Sequence, residues 1–251
     1  MAGSETSGEA DFGYRRVKAE EKARLVRQVF DSVADRYDLM NDLMSGGIHR
    51  LWKAELVDLL APRAGQRLLD VAGGTGDIAR RILARAGAAA VTVCDINERM
   101  LRRGRDRAID AGHLSGIAWV CGDAEALPVA DASVDGYTIA FGLRNVTRID
   151  EALAEARRVL RPGGHFLCLE FAPVDTPVLN RLYDLYSFAV LPVLGQMVAG
   201  DREAYQYLAE SIRRFPPQQE LARRMAAAGL EQVSVRSLTG GIAALHSGWR
   251  L

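Results

Sequence analysis

Four consecutive residues, Gly73-Gly74-Thr75-Gly76, constrain this chain more than anything else in it. They follow a short apolar run, 67–72 (RLLDVA), and open a helix-like stretch, 77–85. A second apolar run, 89–94, comes next and is closed by Asp95. Strand, glycine loop, helix and strand make a βαβ unit, which demands a parallel sheet covered by helices. The alternation continues with a helix over 97–111, strands over 117–121 and 134–141, a helix over 149–160, a turn at Arg161-Pro162-Gly163-Gly164 and a strand over 165–171. Two last strands, 231–238 and 242–246, read as a hairpin added at the end of the sheet.

The rest of the chain fits one domain. Residues 1–14 are small and polar and read as a disordered tail, 15–62 as a helical lid, and 63–251 as an α/β core with a helical insertion at about 176–215. Hydrophobic residues at 49% and charged residues at 25% are ordinary for a globular chain and exclude a disordered or collagen-like one. Thirty-two basic residues balance thirty-two acidic ones, so no net field draws the chain to nucleic acid. The start lacks a basic and then apolar leader, which places the protein in the cytoplasm. Cys94, Cys121 and Cys168 are odd in number and sit in or beside strands, as buried free thiols of a reducing compartment do.

The loop admits two ligands. Gly74-x-Gly76-x-x-Ala79 with an acid at Asp95 about 20 residues on satisfies the dinucleotide pattern. A diphosphate, however, favours a bare helix N-terminus, and here Asp70 and Asp77 flank the loop. Two carboxylates suit a cation. S-adenosylmethionine carries a sulfonium and an ammonium and no phosphate, so charge favours a methyl donor over NAD. A glycine-rich turn without any ligand is the third reading, disfavoured by the entropy three glycines cost. Asp123-Ala124, where another strand ends in an acid and a small residue, resembles the adenine site of class I methyltransferases, which implies a carboxylate and a backbone N–H facing the ring. Asp123 as a simple turn residue is the plainer alternative.

Motifs in order along the chain then narrow the field. Asp35-Arg36-Tyr37-Asp38-Leu39-Met40-Asn41-Asp42, Ala72-Gly73-Gly74-Thr75-Gly76-Asp77, Asp95-Ile96-Asn97, Asp123-Ala124-Glu125-Ala126-Leu127-Pro128, Phe141-Gly142-Leu143-Arg144-Asn145-Val146, Tyr207-Leu208-Ala209-Glu210-Ser211-Ile212 and Ala244-Leu245-His246 together resemble the ubiquinone/menaquinone biosynthesis C-methyltransferase family. The resemblance implies a class I, Rossmann-like fold: seven strands, mostly parallel, with a C-terminal antiparallel hairpin and an N-terminal helical lid. It implies methyl transfer from S-adenosyl-L-methionine to a ring carbon of a polyprenylated quinol, with no metal. Cofactor contacts are expected at Asp70, Gly73, Gly74, Thr75, Gly76, Asp95, Ile96, Asp123 and Ala124. Ala140 stands where many members have Ser, so one side-chain hydrogen bond near the methionine end is missing.

Methylating a ring carbon requires a quinol hydroxyl to lose its proton, and by hypothesis Arg144, Tyr37 and Asn145 carry that chemistry. A guanidinium is no base, but it stabilises a phenolate, while Tyr37 relays the proton and Asn145 orients the ring or a water. His246 reads as a structural histidine ahead of a base. The apolar segment 183–199 reads either as a bent core helix or as a wall for the isoprenoid tail that touches the inner face of the membrane. A second copy of the chain and other quinone-biosynthesis enzymes stand as candidate partners; nucleic acid does not. An NAD(P)-dependent oxidoreductase and a catalytically silent quinone-binding or assembly subunit are the competing functions.

Overall fold

The computed structural model describes residues 8–33, 42, 45–87, 89–172 and 202–251. Expectations for Tyr37 and for the apolar segment 183–199 lie outside the described residues. A seven-stranded sheet holds β3 (Arg67–Val71), β4 (Ala90–Asp95), β5 (Ile117–Cys121), β6 (Val134–Ala140), β7 (Leu160–Phe171), β8 (Glu231–Leu238) and β9 (Ala243–Arg250) in the order β5-β4-β3-β6-β7-β9-β8. The first five pair in parallel, and β9 runs antiparallel between β7 and β8. From β3 the chain winds outward to β5, then returns to β6 on the other side. The crevice between β3 and β6 is therefore the switch point, where open α/β sheets take their ligands.

Apolar positions explain the layers. α2 (His49–Leu60) and α3 (Asp77–Ala86) bury Trp52, Leu56, Ile78 and Ile82 against one face. On the other, α5 (Ile149–Val159) and α7 (Gln218–Ala227) bury Leu153, Ala156, Leu221 and Met225. α4 (Glu98–Asp110) follows β4 and starts at an Asn97 cap whose side chain accepts from the Met100 N–H at 3.0 Å. α1 (Ala19–Val33) and α6 (Arg202–Arg214) lie toward the C-terminal edge, where both touch the N-terminal strands.

Three expectations need correcting. Residues 9–14 are not a disordered tail, nor do 15–18 belong to a helix: β1 (Glu9–Phe12) pairs antiparallel with β2 (Arg15–Lys18). That hairpin is held by partners far away in sequence, since Phe12 stacks on Tyr207 at 4.3 Å and the Tyr14 N–H donates to Glu210 at 2.9 Å. Cys121 is exposed, because β5 is the edge strand; Cys94 and Cys168 are buried as expected. The Pro162-Gly163-Gly164 turn is absorbed into β7, which begins pairing at Leu160 and then shifts register against β6.

Candidate active site

A cleft opens at the β3/β6 crevice, where an open α/β sheet takes its ligand. Its floor is the loop after β3. The chain leaves the strand with Ala72 in the left-handed region at φ 50°, and the Gly74 N–H donates to Asp95 Oδ2 at 2.8 Å. Asp95 Oδ1 accepts from the Asn97 N–H at 2.8 Å, so one carboxylate ties the glycine loop to the start of α4. The remaining lone pairs of Asp95 are available to hydroxyl groups in the cleft. Across the cleft stand Asp123, whose Oδ1 accepts from the Glu125 N–H at 2.9 Å, and Ala124. Val26 and Phe30 of α1 form the roof.

The structure brings Gly74, Asp95, Ile96, Asp123, Ala124 and Asn145 to this one cleft. Asp70, Gly73, Thr75, Gly76 and Ala140 stand behind its wall. Thr75 is buried, and its carbonyl accepts from Arg80 at 2.6 Å. Gly76 is a glycine for packing, since a Cβ there would lie 2.5 Å from the Trp119 ring. Ala140 pairs with Leu169 inside the sheet, and the wall begins one residue later.

The two acids that were expected to face a cation part company. Asp70 is 1% exposed; its Oδ1 accepts from Thr138 Oγ1 at 2.8 Å, and its Oδ2 has no partner among the described residues. Burial pushes its carboxyl up to about 7, with Asp77 and Asp95 adding to the rise and Thr138 and Lys53 opposing it. A Cβ on Gly73 would come within 2.7 Å of that free oxygen. An orphaned buried acid behind the loop fits a cationic ligand. Asp77 does not take this role. Lys53 Nζ at 3.0 Å, Arg81 at 3.2 Å and Arg80 at 3.8 Å satisfy it, and against the penalty of burial they hold its carboxyl below the usual range.

Beyond β6 the chain makes a tight turn, with Phe141 at φ 58° leading into a 3₁₀ turn over Leu143–Asn145. Arg144 is buried there. Its Nη1 donates to Glu170 Oε1 at 2.6 Å and to the Phe141 carbonyl at 2.5 Å. Asn145 Oδ1 accepts from the Tyr207 hydroxyl at 3.1 Å, and the Lys22 ammonium reaches the Val146 carbonyl at 2.9 Å from α1. Asn145 faces the cleft, while Arg144 and Tyr207 line a separate groove; Val146 and Thr147 wall both. His246 is structural: it is buried in β9, and its Nε2 lies 2.9 Å from the Gln218 carbonyl.

The turn depends on a pair of small residues. A Cβ on Gly142 would overlap the Ala72 methyl. Gly142→Ala is expected to cost about 1–3 kcal/mol, the usual penalty of overpacking. Ala72→Gly in the same background removes both the overlap and the left-handed alanine, and should restore most of the loss. Thermal melts of the two single variants and the double variant check this; an unrestored double variant counts against it.

Several working residues escaped the sequence reading. Glu125 accepts from the Thr147 and Arg148 N–H groups at 2.8 and 3.0 Å, which fixes the loop beside Asp123 to the entry of α5. Glu155 accepts from the Leu127 N–H at 2.7 Å and pairs with Arg158, which in turn donates to the carbonyls of Leu127 and Val129. Glu170 and Tyr207 complete the turn after β6, as partners of Arg144 and Asn145. Glu170 had a legible signal: a lone carboxylate in an otherwise apolar strand needs a buried partner.

Comparisons with known proteins agree with this architecture. The profile of the ubiE/COQ5 methyltransferase family matches residues 16–250. The chain is 61% identical, over 97% of its own length and 97% of the relative's, to the ubiquinone/menaquinone biosynthesis C-methyltransferase UbiE of Paracoccus denitrificans. To the protein of the same name from Acidiphilium cryptum it is 58% identical over 99% of its length and 100% of the relative's. Among solved structures it is similar to a SAM-dependent methyltransferase of Thermotoga maritima, with a TM-score of 0.63 at 20% identity over 89% and 99% of the two chains. It is also similar to phosphoethanolamine N-methyltransferase 2 of Haemonchus contortus, solved with S-adenosyl-L-methionine, with a TM-score of 0.59 at 14% identity over 79% and 52%. These likenesses establish the class I methyltransferase fold, and the extent of the sequence match leaves one assignment: the chain belongs to the ubiE/COQ5 methyltransferase family.

Proposed function

We infer that this protein transfers a methyl group from S-adenosyl-L-methionine to a ring carbon of a polyprenylated quinol in ubiquinone and menaquinone biosynthesis. The observation that carries the reading is the pairing of family membership with a cleft whose acids, Asp95 and Asp123, stand where a nucleoside's hydroxyls and amine need acceptors, behind which Asp70 keeps an unpaired oxygen. Demethylmenaquinol is the proposed acceptor, with a methoxy-benzoquinol as the second. Among the described residues no helix is long and apolar enough to cross a membrane.

When bound, the donor supplies an electrophilic methyl group. The protein must supply a nucleophile. A quinol hydroxyl resembles a phenol with a pKa near 10, by analogy with Tyr, and its ring carbon is strongly nucleophilic only as that proton leaves. Arg144 is assigned to stabilise the developing phenolate, because it is a buried hydrogen-bond donor beside the cleft. Asn145, with its Oδ1 fixed by Tyr207, presents its amide at the edge of the donor cleft and orients the acceptor there. Tyr37 remains the proposed proton relay. Holding carbon and methyl in line supplies the rest of the acceleration.

Labelled methyl transfer to chemically reduced acceptors tests the reading, paired with quinone profiling of cells lacking the gene. Label is expected in the methylated product of demethylmenaquinol or of the benzoquinol, and the corresponding unmethylated quinone should accumulate in the cells. No transfer to either quinol together with an unchanged quinone pool would overturn it.

A further inference from the structure

Arg144 has a long, flexible side chain, and something must aim it. Glu170 does so from both ends. Its carboxylate, 1% exposed near the end of β7, accepts from Arg144 Nη1 at 2.6 Å through Oε1 and from the Arg144 main-chain N–H at 3.3 Å through Oε2. The carboxylate is itself pinned, because Oε1 also accepts from the Phe171 N–H at 2.9 Å. Glu170 lies opposite Ala244 of β9, one residue past the last pair of β7 with β6, so its backbone is held by the sheet.

The guanidinium that results is buried, with one nitrogen engaged and another without a partner among the described residues. Nη1 serves Glu170 and the Phe141 carbonyl, while the Phe171 ring lies 5.5 Å from the guanidinium carbon. Nε is buried and has no partner among the described residues. Leaving such a donor unpaired is costly, and a buried ion pair is no better for stability than well-packed apolar residues. Nor does the carboxylate help a phenolate by its charge, which opposes the one that develops. What it supplies is direction.

We propose that Glu170 is a positioning residue for the methyl transfer: by locking Nη1 it turns the Nε edge of Arg144 toward the acceptor's hydroxyl oxygen. This rests on the assignment of Arg144 to the phenolate. Tyr207 and Asn145 extend the same device, since the Asn145 amide lies 3.5 Å from the Phe141 carbonyl that Arg144 also uses.

A double-mutant cycle on the full chain tests it, with Glu170→Gln, Arg144→Ala and the double variant assayed for donor binding by calorimetry and for turnover by methyl transfer. Glu170→Gln should lower kcat at least about tenfold, toward the ~100-fold that an ångström of misplacement costs, with donor affinity unchanged. In the Arg144→Ala background it should add nothing. Glu170→Asp keeps the charge on a shorter arm and should recover part of the rate; if the Gln variant fails to fold, the Asp variant completes the same cycle. Losses that multiply across the cycle, or a fall in donor affinity matching the fall in kcat, would overturn the proposal. Full turnover in Arg144→Ala alone would instead overturn the assignment of Arg144, whereas a slow Arg144→Ala beside a fully active Glu170→Gln sinks only the role of Glu170.

Discussion

Arg144→Ala is expected to cut turnover at least ~100-fold, the scale of a lost oxyanion donor, while leaving the affinity for S-adenosyl-L-methionine nearly unchanged. The split follows from placement. Arg144 lies outside the cleft that Gly74, Asp95, Asp123 and Ala124 form, so the donor loses no contact with it. The variant should still fold, because burial already pushes the Glu170 carboxyl upward and the lost cation lets it take a proton in place of remaining a bare buried anion. Calorimetric titration of the donor beside a methyl-transfer assay reads both quantities, and equal losses in the two would refute the assignment.

The second large effect is at the ribose end. Asp95→Ala removes the acceptor for the Gly74 and Asn97 N–H groups, and with it the acceptor proposed for the nucleoside hydroxyls. Hydrogen bonds to a charged group contribute about 1.5–3 kcal/mol each, so donor affinity should fall at least ~100-fold. The same carboxylate gives donor binding a pH dependence. Burial pushes it up to about 6 from an ordinary 3.8, against the pull of its two backbone N–H partners. Below about pH 6 it is protonated, and donor affinity should decline toward tenfold per pH unit. For the empty protein the sign is opposite. A folded-state pKa above the unfolded one means the fold holds the proton more tightly, so this group's contribution to stability declines as pH rises from about 4 to about 6. Asp95→Asn should flatten both slopes; donor affinity that stays level from pH 5 to 8 in the unaltered protein would contradict the account.

The parallel sheet was legible because each apolar run stops at a glycine or an acid, Gly73 after 67–72, Asp95 after 89–94 and Gly142 after 134–141, all at the ligand edge. The charge argument for a cationic ligand was half legible. Asp70 does keep an unpaired oxygen, but Asp77 is satisfied by Lys53, a residue of α2 that no local pattern links to the glycine loop. The β1–β2 hairpin was illegible for a related reason. Four-residue polar strands carry no period to read, and what holds them is Tyr207 and Glu210, nearly two hundred residues on. Glu170 sits between: the sequence shows a carboxylate where burial forbids an unpaired one, and only the fold says that Arg144 is its partner.

The helix that roofs the cleft ties two parts of the molecule together. α1 is fastened near one end by Lys22 on the Val146 carbonyl and near the other by Asp31, 3.0 Å from the Asn97 amide. A nucleoside in the cleft would lie under Val26 and Phe30 of this twice-fastened helix. One fastening lands on Val146, two residues from Arg144, so the helix above the cleft and the turn that carries Arg144 share a hydrogen bond, and cutting Lys22 back to Met should loosen both at once.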